Sequence, residues 1–392
     1  MASDKAKILA AALLILLAGC AGRKEMAVIN IPQQLKYDTG KVQRIHQRRS
    51  AGVSKPLPLL SVSAVGDVMM SSWLINVVRQ EGVDYPFDST RALLKSSDFA
   101  IANLEAPLSN SGEPFEGKKF TFKVPPEFAA GIKNAGIDIL NLANNHILDF
   151  GSEGLRNTIS TLDSMKIFHI GAGADRDSAC APTIVDYFGI RIAFLGFSMT
   201  FPKEFWAGDT SCGTCYPYEV KFQRLVKQCE QEADLTIVSF HWGAEKRTTP
   251  KEYQIYYAHK AIDLGADLVL GHHPHVLQGL ELYRNRLIAY SLGNYVFASY
   301  SEDARDSIVL QAMITPNGLL SARARPISVY NADVNFQPHL LYGTDRGAVL
   351  QRLNELSFNL NNGRNILNRE GFIWPNKLIW HEEQHAEVAG GN

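Results

Sequence analysis

From Leu59 onward the sequence alternates strand and helix patterns, and strand after strand runs out on a polar or metal-ligating side chain. Leu59–Val65 (LLSVSAV) reads as a buried strand leading into Gly66-Asp67. Asp98–Asn103 (DFAIAN) leads into Leu104-Glu105, and Ile137–Asn141 (IDILN) into Asn144-Asn145-His146. Leu235–Phe240 (LTIVSF) ends at His241, and Leu268–Leu270 (LVL) at Gly271-His272-His273. Residues 125–135, 152–166, 218–232 and 251–264 read as helices, the first closed by Gly136 and the last by Gly265. Paired runs around Phe188-Gly189, Arg284-Asn285-Arg286 and Pro316-Asn317-Gly318 add hairpins. This alternation restricts the body to an α/β fold. In such sheets ligands bind outside the carboxyl ends of the strands. Asp67, Glu105, Asn145, His146, His241, His273 and His275 are therefore expected to converge on one rim.

Two carboxylates, one amide oxygen and several imidazoles make a ligand set for hard-to-borderline divalent metals. A bridging carboxylate can hold two cations ~3.5–4 Å apart, the arrangement of two-metal hydrolases. Taken singly, each residue has a plainer reading: Asp67 as a turn residue, His146 as an edge histidine, His241 as a satisfied core ring. His272, His273 and His275 are harder to place by packing alone, because each buried ring needs hydrogen-bond partners. The expected cofactor is one or two divalent cations per chain, with Mn, Zn or Fe matching these donors. Lys118, Lys119 and Lys123 can meet an anionic substrate, but read first as a solvated face.

The motif order is more specific than its parts. Gly66-Asp67, Asn103-Leu104-Glu105, Ala143-Asn144-Asn145-His146 and His241-Trp242-Gly243-Ala244-Glu245 come first. Gly271-His272-His273-Pro274-His275-Val276-Leu277-Gln278 and Tyr290-Ser291-Leu292-Gly293-Asn294-Tyr295-Val296-Phe297 follow. This series resembles the CapA capsule-synthesis family, named for poly-γ-glutamate capsules, within the calcineurin-like metallophosphoesterase superfamily. The resemblance covers about Leu59 to Ile314. It implies a four-layer fold of two mixed β-sheets packed face to face and flanked by helices. It also implies roles: Asp67 as first-motif ligand, Glu105 in place of the bridging aspartate, Asn145 as ligand, and His146 as general acid. His241, His273 and His275 match the remaining ligand histidines. Where the superfamily has a second first-motif ligand histidine, this chain has Met69, so one metal position keeps only Asp67, Glu105 and His275. Asn103, Asn144, Glu245, His272, Ser291 and Asn294 lie beside these motifs and can orient the ligands. For Gly293-Asn294 a tight turn is the simpler reading.

The N-terminus reads as an address. Lys5 and Lys7 precede the apolar run Ile8–Ala18, too short for the ~20 residues of a membrane span and suited to a secretory signal. The run closes on Leu17-Ala18-Gly19-Cys20, which resembles a bacterial lipobox with Cys20 as the lipidated residue. Ala21 after it favours the outer membrane by the same resemblance. Residues 21–57 carry eight Lys/Arg against two acids, in a chain whose formal charge is −1, so a basic tether precedes an acidic body. That balance excludes an overall nucleic-acid footprint. The expected organisation is a lipoprotein signal peptide at 1–19, a basic tether at 20–57, a domain resembling the CapA-like metallophosphoesterases at 58–330 and a partly helical extension at 331–392.

Cys180, Cys212, Cys215 and Cys229 remain, an even number in an exported chain. The Cys212-Gly213-Thr214-Cys215 stretch is expected to close a local disulfide, with Cys180–Cys229 as a second pair. The functional expectation is an exported, lipid-anchored metal-dependent hydrolase. Its substrate would be a phosphoester or an anionic polymer such as poly-γ-glutamate, and capsule-synthesis membrane proteins would be its partners. The alternative is a non-catalytic component that binds, exports or attaches the polymer.

Overall fold

The structure is a computed structural model and describes residues 58–375. The signal peptide, Cys20 and the basic tether lie outside the described residues. In chain order, β1 (Leu60–Met69) is followed by α1 (Trp73–Glu81), β2 (Phe99–Leu104), α2 (Ala129–Ala135), β3 (Ile139–Asn141), α3 (Gly151–Met165), β4 (Phe168–Ile170) and β5 (Ala172–Gly173). Then come α4 (Arg176–Cys180), β6 (Thr183–Tyr187), β7 (Ile190–Ser198), β8 (Gly213–Thr214), α5 (Glu219–Glu232), β9 (Leu235–His241), α6 (Glu252–Asp263) and β10 (Leu268–His272). The chain continues through β11 (Leu280–Tyr283), β12 (Arg286–Ala289), β13 (Asn294–Phe297), β14 (Asp306–Thr315) and β15 (Gly318–Ser328). It closes with β16 (His339–Leu340), α7 (Gly343–Phe358) and β17 (Phe372–Ile373).

Two mixed sheets result. The first runs β16-β15-β14-β1-β2-β3-β4, with β13 also paired to β1 and β17 to β15; the second runs β11-β12-β10-β9-β7-β6. β1 through β4 are mutually parallel, as are β7, β9, β10 and β12, while hairpins supply the antiparallel edges. The β6–β7 and β11–β12 turns each have two residues at positive φ, Phe188-Gly189 (50° and 79°) and Arg284-Asn285 (49° and 61°). That geometry matches the right-handed strand twist in two-residue hairpins.

Side chains alternate along the strands and fill three apolar layers. Ile101, Ile139, Ile237 and Leu270 meet between the sheets. Their neighbours Ala100 and Leu140 face Leu74, Ile132 and Leu155 of α1, α2 and α3. Val238 and Val269 face Phe222 of α5 and Ala258 of α6. Strands covered on both faces read as continuous apolar runs. Each large aliphatic side chain buried this way contributes about 1.5–3 kcal/mol. The result is the expected helix–sheet–sheet–helix stack.

Two differences from the sequence reading have physical causes. β1 does not stop at Val65; it continues through a register shift between Ala64 and Asp67 and gains β13 as a parallel neighbour. Asn294 is therefore a strand residue rather than half of a tight turn. The predicted Cys212–Cys215 disulfide is wrong, and so is Cys180–Cys229. Cys180 bonds Cys215, with Cα atoms 4.9 Å apart, while Cys212 and Cys229 are free. Gly213-Thr214 is extended as β8 and pairs with β5. Three extended steps of ~3.3 Å each carry Cys212 and Cys215 too far apart to be bridged. The same pairing brings Cys215 under α4, where Cys180 is the last residue. Cys229 is buried in the apolar layer under α5.

Residues beyond 330 complete the same layers. β16 and β17 both pair with β15. Val349, Leu350 and Leu353 of α7 join the apolar layer that contains the inter-sheet residues.

Candidate metal centre

The rim at the carboxyl ends of β1, β2, β3, β9 and β10 gathers the ligand-type side chains. Register sets the spacing: Asp67 on β1 lies opposite Asn103 on β2 and Asn294 on β13, and His241 on β9 lies opposite His272 on β10. Such close strands require glycine at Gly66, where a Cβ would fall 1.8 Å from the Gly293 carbonyl oxygen. Gly271 is equally constrained, with the Tyr290 carbonyl oxygen 2.0 Å from a hypothetical Cβ.

All six expected ligands converge. His241 Nε2 lies 2.7 Å from Asn145 Oδ1 and 3.3 Å from Glu105 Oε1. His275 Nδ1 lies 3.1 Å from Asp67 Oδ2, and its Nε2 lies 3.7 Å from Glu105 Oε1. Ligand atoms of Glu105, His241 and His273 lie within 4.8 Å of one another, and so do those of Asp67, Glu105 and His275. Glu105 thus belongs to both groups, as a bridging carboxylate must. His273 and His275 sit at φ 95° and 59°, a costly backbone for non-glycine residues that surrounding structure must enforce.

The buried polar atoms fit a cation. Glu105 Oε1 and His273 Nδ1 are buried without a hydrogen-bond partner among the described residues. Leaving such atoms unsatisfied costs about 1–3 kcal/mol each. A divalent ion held by Asp67, Glu105, Asn145, His241, His273 and His275 would satisfy them.

The charges of these buried side chains act on one another. Burial and the neighbouring Asp67 charge push Glu105 well above the ordinary carboxylate range. Burial also opposes the charge on Asp67, but the His272 and His275 rings beside it hold it well below that range. His275 is raised to about 9: burial opposes its charge, and Glu105 and Asp67 overcome that opposition. Burial, then the His275 charge, lowers His273 to about 3. Burial likewise holds His241 well below the imidazole range. Two imidazoles are thus neutral and ready to ligate at pH 7, while the third carries a proton between two carboxylates.

Neighbouring residues play distinct parts. Asn103 donates from Nδ2 to Asp67 Oδ1 at 2.8 Å and accepts on Oδ1 from Asn141 and Asn144. Asn144 Oδ1 accepts the backbone N–H groups of His146 and Ile147, which fixes the turn carrying Asn145. Asn294 Oδ1 lies 3.0 Å from His275 Nδ1. Ser291 makes no ligand contact of this kind; it donates to the Val276 carbonyl at 2.7 Å and pins the loop after His275. His272 is buried with Nδ1 3.5 Å from Asp67 Oδ1. Glu245 is exposed, and its carboxylate lies within 4.8 Å of ligand atoms on His273 and His275. Met69 is buried in the apolar layer beneath the helices.

His146 has partners that sequence reading missed. Its Nδ1 lies 2.7 Å from Asp149 Oδ2, so Nε2 is the ring nitrogen that Asp149 does not engage. Asp149 also accepts from Lys118 Nζ and from the Phe122 N–H at 2.7 Å. Lys118 is largely buried here, contrary to its reading as part of a solvated face. Burial lowers its pKa against the pull of Asp149. The available signal was Asp149 itself, three residues after His146.

The four-layer α/β stack with this paired ligand set at its strand ends has the arrangement that the motif resemblance implied. The chain belongs to the family described as "Bacterial capsule synthesis protein PGA_cap", whose family profile matches residues 61–299. It is similar to the PGA biosynthesis protein CapA of Bacillus subtilis (strain 168), 31% identical over 70% of this chain and 73% of that protein. It is also similar to the capsule biosynthesis protein CapA of Bacillus anthracis, 31% identical over 69% of this chain and 67% of the relative. Among solved structures, the Haemophilus influenzae NAD nucleotidase (NadN) aligns at 15% identity and a TM-score of 0.43, covering 76% of this chain and 63% of that one.

Proposed function

We propose that this protein is a metal-dependent hydrolase of capsule or envelope polymer synthesis, acting on a phosphoester or on an anionic polymer such as poly-γ-glutamate. The observation that carries this reading is Glu105 Oε1, buried between the Nε2 atoms of His241 and His275 without a hydrogen bond among the described residues. When bound, a divalent cation supplies Lewis-acid polarisation of the scissile phosphoryl or acyl oxygen. The chain's own residues do the rest. Asn103 and Asn144 hold the ligands in place. His146, tied through Nδ1 to Asp149, presents Nε2 to protonate the leaving group. Asp149 and Lys118 fix that ring's orientation.

A second reading is supported by Met69. With Met69 packed in the core, Asp67, Glu105 and His275 make a three-residue set on their side of the centre. A site so furnished can bind a polymer's carboxylates without turning them over. Turnover of a phosphoester panel and of poly-γ-glutamate, with Mn²⁺ or Zn²⁺ supplied, separates the two. Metal-dependent cleavage lost in His273→Ala supports the hydrolase; binding without cleavage supports the alternative.

We further propose export and lipid anchoring through Cys20, with the outer membrane as destination and capsule-synthesis membrane proteins as partners. The Cys180–Cys215 bond suits an oxidising compartment. Cys20→Ser should release the protein from the membrane fraction; unchanged fractionation would refute the anchor.

A further inference from the structure

Next to His146 lies a cavity of about 310 Å³, lined by Ser71, Ser72, Thr121, Phe122, Lys123 and Phe150. Phe122 joins it to the metal centre: its ring centroid is 5.0 Å from that of His146, and its N–H donates to Asp149. Three features of the lining favour a negative charge. Ser72 is the N-cap of the nine-residue α1, whose first turn carries no acid and has no side-chain cap. The positive end of the helix therefore faces this wall with no acid in its own first turn to offset it. Ser71 is 2% exposed, and its Oγ has no hydrogen-bond partner among the described residues. Lys123 lies over the Phe150 ring, Nζ 4.4 Å from the centroid, and forms no ion pair among the described residues. Phe122 and Phe150 add apolar surface beside these polar groups. Such a lining suits a carboxylate carried on an aliphatic chain better than a bare phosphate, which has no use for two aromatic walls.

We propose that this cavity is a carboxylate subsite, holding a substituent of the polymer chain one repeat away from the group at the metal centre. The proposal rests on the polymer reading given above and extends it. Ser71 and Lys123 bind the carboxylate, and Phe122 and Phe150 pack against the aliphatic segment. The subsite sets register, so that the bond to be cleaved or held lies beside His146.

The test is calorimetric binding of a defined γ-glutamyl tetramer to the full chain, metal-loaded and chelator-treated. The panel comprises Lys123→Ala, Lys123→Glu, Ser71→Ala and Lys119→Glu, each checked for fold by circular dichroism. Lys119 lies on the same loop, outside the cavity lining. We expect about tenfold weaker binding in Lys123→Glu, a smaller loss in Lys123→Ala and Ser71→Ala, and native affinity in Lys119→Glu. Metal content should match the native protein in all four variants. No binding by the native chain would overturn the subsite, as would equal losses in Lys119→Glu and Lys123→Glu, or glycerol phosphate competing better than the tetramer. Lys123-dependent binding without cleavage leaves the subsite standing and removes the hydrolase. Cleavage indifferent to Lys123 and Ser71 does the reverse.

Discussion

The Asn103 side-chain amide donates to Asp67 across the β1–β2 pair at 2.8 Å, and the same nitrogen lies 3.4 Å from Glu105 Oε2. Its oxygen is held by Asn141 and Asn144, so the two carboxylates take their orientation from one fully buried amide. Networks of this kind hold metal ligands in place before the metal arrives.

Asn103→Ala should therefore weaken divalent-metal affinity by about 10–100-fold while leaving all six ligands present. Titration calorimetry with Mn²⁺ or Zn²⁺ measures this. Native affinity in the variant would show that the carboxylates need no such support.

Metal uptake should release protons. With His275 raised to about 9, the metal-free protein carries a proton there at pH 7 that a cation must displace. Affinity should then fall by about tenfold per pH unit below pH 9 for each proton released. Calorimetry in buffers of different ionisation enthalpy should report at least one proton at pH 7; none would contradict the charge arrangement. The linkage sign follows from the same group. A histidine raised in the folded state stabilises that state most below its ordinary value of 6.5, and this stability is lost as pH rises through about 9. Metal-free protein should lose stability across that window.

The hydrolase reading predicts that His146→Ala lowers turnover by about 10²–10⁴-fold without changing metal content. Asp149→Asn should act in the same direction through the orientation of the ring. Loss of metal in either variant would move these residues from proton transfer to metal holding.

Cys180→Ser and Cys215→Ser should each lower unfolding free energy by about 2–4 kcal/mol, since they open a 35-residue loop. Cys212→Ser should be close to neutral. Denaturant unfolding under non-reducing conditions decides this, and a large effect of Cys212→Ser would contradict the observed pairing.

The layered fold was readable because strands buried on both faces leave uninterrupted apolar runs, each ending where the chain emerges at the rim. Asp67, Glu105, His241 and His273 were legible for that reason. What escaped was whatever depends on pairing across sequence distance. The β5–β8 pair that brings Cys215 to Cys180 is two residues long on each side and has no pattern of its own. Lys118 read as part of a solvated face, because nothing local shows that the chain turns it inward to Asp149. The separation of Met69 from Asp67 depends on a register shift, which a period-two reading of β1 passes over.

The metal centre proposed at the rim requires Asp67, Glu105, Asn145, His241, His273 and His275 to hold a divalent cation together. Elemental analysis of protein purified without chelator, alongside His273→Ala, decides this. The native chain should hold about one tightly bound metal and the variant close to none, since His273 is one of four ligands, with Glu105, Asn145 and His241, on the better-furnished side of the centre. A native chain that takes up neither Mn²⁺ nor Zn²⁺, or a His273→Ala variant that keeps its metal, would contradict it.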